Sequence, residues 1–169
     1  MPLTEKGRRQ ADRLPPLLAT LSDGALPLVF TSPLQRARET ARRAVPGVEA
    51  TVVDALAEYD YGDYEGMTSA EIDEIRPGWE LFKDGCPGGD SLHQVIARCD
   101  SFIAKLERTG AGRAAIVFTH GHLSRLLTTR LVGLNPEAGA VLQNDAASVG
   151  VISDKRSHYV ITGWNIRAQ

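Results

Sequence analysis

Two junctions between an apolar strand and a helix carry the side chains with the clearest chemistry. The junction at residues 31–36 (TSPLQR) places Arg36 just beyond an apolar run, and the junction at 119–125 (THGHLSR) places His120 and His122 beyond another. Ligands of parallel α/β sheets bind beyond the carboxyl ends of the strands, where helix N-termini offer free N–H groups to anions. An anionic ligand is therefore the first hypothesis.

Each of these side chains also has a less specific interpretation. Arg36 has a planar five-donor guanidinium that suits phosphate, but three more arginines follow it, and a solvated helix face is the alternative. His120 precedes a glycine that lets a ligand approach the backbone closely, or it satisfies a loop. The spacing of His120 and His122 could suit a metal, yet no carboxylate or cysteine adjoins them in sequence. We therefore expect no metal.

Residues 58–66 (EYDYGDYEG) combine four carboxylates with three tyrosines. An acidic surface loop is one interpretation. The other is that the tyrosines pack as a lid over a carboxyl group, since aromatic surroundings suit a carboxyl group to general acid catalysis. Glu58 directly follows the apolar residues 55–57 and is the one expected to be partly buried. Only this position distinguishes it from its neighbours.

The spacing of apolar residues predicts the elements that position these side chains. Thr4 caps a first helix, at 5–21, which the prolines at 15–16 kink or split, and Ser32 caps a second helix that Pro33 opens. From Ser91 to Gly110, apolar residues recur at three- and four-residue steps, which is the strongest helical pattern. The other predicted elements are strands at 27–31, 50–53 and 114–119, helices at 68–76, 79–84 and 122–132, and a C-terminal hairpin of strands 148–153 and 158–162 with its turn at 154–156.

Length and composition predict a single domain over residues 1–169. The formal net charge is −2, so no basic field favours nucleic acid or an anionic membrane as a partner. Cys86 and Cys99 are too few for a disulfide framework and favour a reduced, cytoplasmic protein. We find no signal-peptide pattern and no apolar run of membrane-spanning length, so a soluble protein is expected.

Four motifs make the chain resemble the histidine phosphatase superfamily, which has the phosphoglycerate mutase-like fold. They are residues 32–37 (SPLQRA) with 40–41 (TA), 58–66 (EYDYGDYEG), 87–91 (PGGDS) and 119–122 (THGH). The resemblance covers essentially the whole chain and implies an α/β fold, a three-layer α/β/α sandwich with a mostly parallel sheet and a C-terminal β-hairpin. The sequence HGHLSR at 120–125 and the short insert between Gly66 and Gly88 look more like the small acid phosphatases than the mutases.

The resemblance also implies roles for particular residues. Arg36 would clamp the phosphate, Glu58 would protonate the leaving group, and His120 would stabilise the transferring phosphoryl group. The amides of Gly121 and His122 would lie against the substrate. The implied activity is hydrolysis of a small phosphorylated substrate through a phosphohistidine intermediate, with no cofactor. A phosphoglycerate mutase and a non-catalytic module that binds phosphate ligands are the alternatives, and a homodimer is left open.

One part of the family pattern is missing from the chain. The family's nucleophile is a histidine in an Arg-His-Gly motif after its first strand, and the sequence contains no such motif. Neither His93, on the outer face of a helix, nor His158, at the start of a terminal strand, is expected to replace it. We therefore expect little or no turnover by this chain, because a covalent route needs its nucleophile.

The missing motif also bears on the sheet. In the family the first strand lies between the strands corresponding to 114–119 and 148–153. Its loss would leave interior backbone groups unpaired, at a cost of about 1–3 kcal/mol each. We therefore expect that the native chain starts upstream of Met1, with a degenerate family member that closes the gap or borrows a strand as the alternative.

Overall fold

The computed structural model describes residues 1–22, 27–110, 113–156 and 158–168. The helices are α1 (Glu5–Asp12), α2 (Leu14–Leu21), α3 (Gln35–Ala44), α4 (Ser69–Ile75), α5 (Leu81–Asp84), α6 (Leu92–Gly110) and α7 (Gly121–Leu131). The strands are β1 (Leu28–Thr31), β2 (Thr51–Val52), β3 (Ala115–Phe118), β4 (Ser148–Lys155) and β5 (His158–Arg167). Short 3-10 helices lie at Asp54–Leu56, Gly62–Tyr64 and Pro136–Val141.

A parallel sheet of order β2-β1-β3 fixes the position of the two junctions. β1 pairs with β3 in a register that sets Thr31 opposite Phe118, so the two strands end level with each other. The amide of Ser32 then donates to the carbonyl of Phe118 at 2.9 Å. Because the strands are parallel and end together, the residues that follow them lie side by side.

Side chains from β1 and β3 alternate between two apolar clusters, one on each face of the sheet. Phe30 and Val117 pack with α5, α6 and α7, whereas Val29 and Phe118 pack with α2 and α3. Strands of this kind are buried on both faces, which explains their uninterrupted apolar sequences. The layers of helix, sheet and helix confirm the α/β sandwich. No described helix is long and apolar enough to cross a membrane.

The strands β4 and β5 form a separate antiparallel pair. Val149 of β4 packs against the cluster that contains Phe118. Among the described residues, no strand pairs with β3 on the edge away from β1. The family resemblance places its first strand at this position, between β3 and β4.

The first predicted helix is split in two, which is one of the two predicted outcomes. α1 ends at Asp12, and the prolines at 15–16 occupy the first turn of α2, where their missing N–H groups are tolerated. Thr4 caps α1 as predicted, since its hydroxyl accepts from the amide of Gly7 at 3.1 Å. The C-terminal hairpin is longer than predicted, because residues 154–155 pair within β4. Its turn includes Arg156 at a φ of 61°, and Ser157 lies outside the described residues.

The prediction that Ser32 caps the second helix was wrong. α3 starts at Gln35, with Leu34 at the N-cap. The Ser32 hydroxyl instead accepts from the amide of Leu34 at 3.2 Å and lies 2.7 Å from Nε2 of His120. A serine that bonds an amide two residues ahead forms a local turn instead of a helix cap. Arg36 nevertheless lies in the first turn of α3, as predicted.

Candidate active site

The side chains of Arg36 and His120 meet at the carboxyl ends of β1 and β3. Nε of Arg36 donates to Nδ1 of His120 at 3.1 Å, although the two residues are 84 positions apart in the sequence. On the other side of the ring, Nε2 of His120 lies 2.7 Å from the hydroxyl oxygen of Ser32. The three side chains form a continuous chain of hydrogen bonds. The two junctions that follow apolar strands in the sequence therefore meet at one edge of the sheet.

His120 is held as a neutral imidazole. Because Arg36 donates to Nδ1, that nitrogen presents a lone pair, and Nε2 carries the proton that faces Ser32. The ring is 8% exposed. Burial, followed by the positive charge of Arg36, lowers the pKa of His120 to about 4. At neutral pH the positive charge of the cluster therefore resides on Arg36.

The carboxylate of Glu58 lies across the N-terminus of α7. Its Oε1 accepts from the amide of Leu123 at 2.9 Å, and its Oε2 accepts from the amide of His122 at 3.3 Å. A carboxylate at this position interacts favourably with the positive end of the helix dipole. The amide of His122, which the resemblance sets against the substrate, thus donates to Glu58. Gly121 is exposed, and a Cβ added there would have no atom within 4 Å.

Aromatic rings surround the carboxyl group of Glu58, which is half-buried as its position predicts. The Tyr61 hydroxyl lies 2.6 Å from Nδ1 of His122, and the rings of Tyr59 and Tyr61 are stacked. Burial raises the pKa of both tyrosines, with the carboxylate of Glu58 adding to the effect, so both keep their protons at neutral pH. Burial also lowers the pKa of His122, against the opposing influence of Glu58. The segment 58–66 is thus more than a solvated acidic loop.

The side chain of His122 is engaged by Tyr61. Within residues 1–22, 27–110, 113–156 and 158–168, no group of three histidine, cysteine, aspartate or glutamate side chains is arranged to hold a metal ion. The other two histidines of the chain, His93 on α6 and His158 at the start of β5, are both exposed.

Arg98 on α6 fixes the backbone on both sides of Glu58. Its Nη1 donates to the carbonyls of Ala55 and Ala57 at 3.3 and 2.8 Å, and its Nη2 donates to Oδ2 of Asp90 at 2.7 Å. Asp90 also accepts from the amide of Asp60 at 3.0 Å, just beyond Glu58. Sequence reasoning missed Arg98. No local signal reveals a side chain whose partners are carbonyls about 40 residues away.

The glycine-rich turn at residues 87–91 packs directly against the loop that contains Glu58. The amide of Asp90 donates to the carbonyl of Asp60 at 2.9 Å. A Cβ on Gly89 would lie 2.3 Å from that same carbonyl oxygen, and a Cβ on Gly62 would lie 2.3 Å from the carbonyl oxygen of Pro87. The two motifs approach so closely that neither position has room for a side chain.

This geometry agrees with a match to known proteins over almost the whole chain. A family model of the histidine phosphatase superfamily, branch 1, matches residues 1–167. The chain belongs to the histidine phosphatase superfamily. An acid phosphatase of Mycobacterium tuberculosis is 39% identical over 149 residues, which cover 88% of this chain and 72% of that enzyme.

Two further relatives define the range of the similarity. The solved structure of an open reading frame product of Mycobacterium tuberculosis superposes on this chain with a TM-score of 0.91 and 34% identity, covering 99% of this chain and 86% of the other. A 2,3-bisphosphoglycerate-dependent phosphoglycerate mutase of Beijerinckia indica is 34% identical over 133 residues, or 67% of this chain and 61% of the mutase. Phosphatases and mutases thus both occur among the relatives.

Proposed function

We propose that the chain supplies the phosphate-binding and proton-transfer groups of a phosphomonoester hydrolase of the acid phosphatase type. The observation that carries the proposal is the meeting of Arg36 and His120 at the carboxyl ends of two parallel strands. Donors fixed in advance around a transferring phosphoryl group usually make the largest contribution to catalysis. Ser32 supports this arrangement by fixing the ring of His120 from the side opposite Arg36.

Substrate binding changes the proton on His120. A phosphate oxygen accepts hydrogen bonds, so it takes the place of Nδ1 as the acceptor for the guanidinium of Arg36. Nδ1 of His120 then acquires a proton and donates to the phosphoryl group. A negative charge beside the ring favours its protonated form and offsets the effect of Arg36. The phosphate is thereby held by two positively charged donors.

Glu58 acts as the proton donor to the leaving group. When the bond between phosphorus and the ester oxygen breaks, the carboxyl proton moves to that oxygen, and the carboxylate left behind is stabilised by the amides of His122 and Leu123. The carboxylate later takes a proton from the water that releases phosphate. Gly121 is exposed at the start of α7, where its amide contacts the phosphoryl group of the substrate.

The covalent step requires a nucleophile. In the family this is the histidine of an Arg-His-Gly motif, which the 169 residues do not contain. The phosphohistidine intermediate therefore belongs to an enzyme that includes that motif, and the present chain hydrolyses phosphomonoesters slowly or not at all.

The phosphoglycerate mutase similarity supports a second candidate function. A mutase must return the phosphoryl group to a hydroxyl of its product, whereas a hydrolase releases free phosphate. The higher identity to the acid phosphatase, 39% against 34%, supports the hydrolase. A third candidate, a module that binds phosphate ligands without turnover, would use the same Arg36 and His120.

The buried thiols support a cytoplasmic location for a single domain over residues 1–169 that acts on a small phosphorylated substrate. Burial raises the pKa of Cys86 to about 11 and that of Cys99 to about 12, so both remain protonated. Both cysteines are free, which is typical of proteins in a reducing compartment.

Calorimetric titration with inorganic phosphate tests the site. Arg36→Ala is expected to weaken binding by about tenfold or more, since it removes a charged hydrogen-bond donor. The matched control is Arg38→Ala, because Arg38 lies on the same helix but is exposed, and binding should change by less than about twofold. Undiminished phosphate binding by the Arg36→Ala variant would overturn the assignment of the phosphate site. An equal loss in both variants would show a diffuse electrostatic attraction instead.

A further inference from the structure

A cavity lies beside the candidate active site. Its volume is about 330 Å³, which is within the range of small-molecule sites. Aromatic side chains form much of its wall, with aliphatic side chains between them. The aromatic residues are Tyr61, Tyr64, Trp79 and Phe82.

The cavity and the candidate proton donor share one residue. The ring of His122 forms part of the wall, while its backbone amide donates to Oε2 of Glu58 at 3.3 Å. Tyr61 also lines the cavity, and its hydroxyl lies 2.6 Å from Nδ1 of the same histidine. The wall is therefore two residues from His120 in the chain, on the helix whose N-terminus holds Glu58. This is the side on which a leaving group that receives a proton from Glu58 must lie.

The two charged residues of the cavity wall carry opposite charges. Arg125 lines it, but its Nε donates to the carbonyl of Gly139 at 2.7 Å and its Nη2 to that of Ala140 at 2.9 Å. Its guanidinium lies over the ring of Phe82, 4.8 Å from the centroid. The other charged residue of the wall is Glu80, whose carboxylate repels an anion. The bonds to carbonyls hold the guanidinium of Arg125 in place, and the carboxylate of Glu80 offsets its attraction for a second carboxylate or phosphate of a substrate.

We infer that this cavity binds the alcohol part of the substrate, and that the preferred substrates are phosphomonoesters of apolar, ring-bearing alcohols. The inference rests on the proposed function, because it assumes that the phosphoryl group lies between Arg36 and His120. Aromatic walls contribute both burial of apolar area and ring stacking to such a ligand. Esters of hydroxy acids and sugar bisphosphates gain nothing from the cavity, because Glu80 offsets the attraction of Arg125 for their second anionic group.

Non-hydrolysable phosphonates test the inference by binding alone. Methylphosphonate is the reference, benzylphosphonate adds an aromatic ring, and 3-phosphonopropionate adds a carboxylate. Binding is measured by calorimetry and by the fluorescence of Trp79, which lines the cavity. Benzylphosphonate is expected to bind about tenfold or more tightly than methylphosphonate, and 3-phosphonopropionate no more tightly than methylphosphonate.

Paired substitutions locate the added affinity. Met67→Glu places a charge in the cavity wall at a half-buried loop position and should remove the preference for benzylphosphonate. The control Ile75→Glu alters an apolar side chain that is 64% exposed on α4 and does not line the cavity, so it should leave the preference intact.

The outcomes separate the two proposals. The cavity inference is overturned if benzylphosphonate binds no more tightly than methylphosphonate, or if 3-phosphonopropionate gains as much affinity as benzylphosphonate. The phosphate site still stands in these cases, provided that methylphosphonate binding depends on Arg36. A benzyl preference that survives Met67→Glu also overturns it. Methylphosphonate binding that is absent, or indifferent to Arg36→Ala, overturns the proposed function itself.

Discussion

Nε of Arg36 donates a hydrogen bond to Nδ1 of His120 at 3.1 Å, across 84 residues of chain. The contact exists because β1 and β3 are parallel neighbours that end at the same level, with Thr31 opposite Phe118. It also defines the charge of the site, since a ring nitrogen that accepts from a guanidinium cannot carry a proton itself. An anion that takes the place of Nδ1 as the acceptor for Arg36, as proposed above, therefore binds together with a proton.

The first prediction concerns that linkage, with sulfate as the probe because it remains a dianion across the pH range used. His120 is neutral in the free protein above its pKa of about 4, and it gains a proton when the anion binds. Sulfate affinity should therefore rise by up to about tenfold for each pH unit as pH falls from about 7 towards 5. Calorimetry in buffers of different ionisation enthalpy should show uptake of about one proton.

His120→Gln should remove most of this pH dependence, and His93→Gln should leave it unchanged, because His93 is exposed on α6. Sulfate binding without any proton uptake would contradict the proposed exchange of Nδ1 for an anion.

The second prediction concerns stability, and its sign follows from the same pKa. The folded pKa of His120 is about 4, against an ordinary value of 6.5, so between these values the unfolded chain binds more protons than the folded one. The free energy of unfolding should therefore be highest above pH 6.5 and fall as pH decreases towards 4, with His120 contributing at most about 3 kcal/mol.

Urea unfolding across this range measures the slope. His122 contributes with the same sign, because burial also lowers its pKa. The test is therefore the difference between variants: His120→Gln should flatten the curve, whereas His93→Gln should follow the wild type. Identical slopes for all three proteins would show that His120 is protonated as readily in the fold as in solution.

A third prediction compares two glycines near the site. Gly89→Ala places a methyl group 2.3 Å from the carbonyl oxygen of Asp60 and 2.6 Å from the amide nitrogen of Gly62, and both atoms belong to the backbone. The free energy of unfolding should fall by about 2–3 kcal/mol or more, because rigid backbone atoms must move. Gly121→Ala meets nothing within 4 Å and begins α7, so its effect should stay within about 1 kcal/mol. Equal unfolding midpoints would contradict this close packing of the two motifs.

A fourth prediction separates two arginine–aspartate pairs that both involve α6. Arg98 joins Asp90 to the carbonyls beside Glu58, whereas Arg130 of α7 pairs with Asp100, whose side chain is 46% exposed. Arg98→Met should lower the free energy of unfolding by about 1–3 kcal/mol, because it leaves half-buried carbonyls without a donor. Arg130→Met should cost about 1 kcal/mol or less, as exposed pairs do. Thermal and urea unfolding of both variants show which substitution lowers the free energy of unfolding more. A larger loss for Arg130→Met than for Arg98→Met would exclude Arg98 as the residue that fixes this loop.

The positions of Arg36 and His120 could be predicted because strand ends carry strong local signals. Short apolar runs identify β1 and β3, and parallel strands bring the residues that follow them to one edge. The sequence also predicts that Glu58 is partly buried, because it directly follows an apolar run. These inferences need only local pattern and the geometry of a parallel sheet.

Features that depend on distant partners could not be predicted in this way. Ser32 has the sequence signature of a helix cap, but its hydroxyl bonds to His120, and α3 begins later. The roles of Arg98 and Arg125 consist of bonds to backbone carbonyls in other segments. The cavity wall likewise combines residues from positions 61 to 140, and only the folded chain brings them together.

The last prediction concerns turnover. The 169-residue chain should hydrolyse phosphomonoesters slowly or not at all, because it contains no Arg-His-Gly motif. A protein in which an apolar strand ending in Arg-His-Gly precedes residue 1 should hydrolyse them best below neutral pH and without added metal. The acidic optimum is expected because Glu58 must carry a proton when the leaving group departs and His120 must carry one when the phosphoryl group is bound.

Variants of that extended protein test each role. His120→Ala and Arg36→Ala should each slow phosphoryl transfer by roughly 10²–10³, as expected on removal of a donor fixed in advance. Glu58→Gln should slow the hydrolysis of alkyl phosphates more than that of nitrophenyl phosphate, because nitrophenolate departs without a proton. Robust turnover by the short chain that survives Arg36→Ala would mean that phosphate is bound elsewhere. Equal losses for both leaving groups in Glu58→Gln would instead assign Glu58 to positioning α7, through the amides of His122 and Leu123, and not to proton transfer.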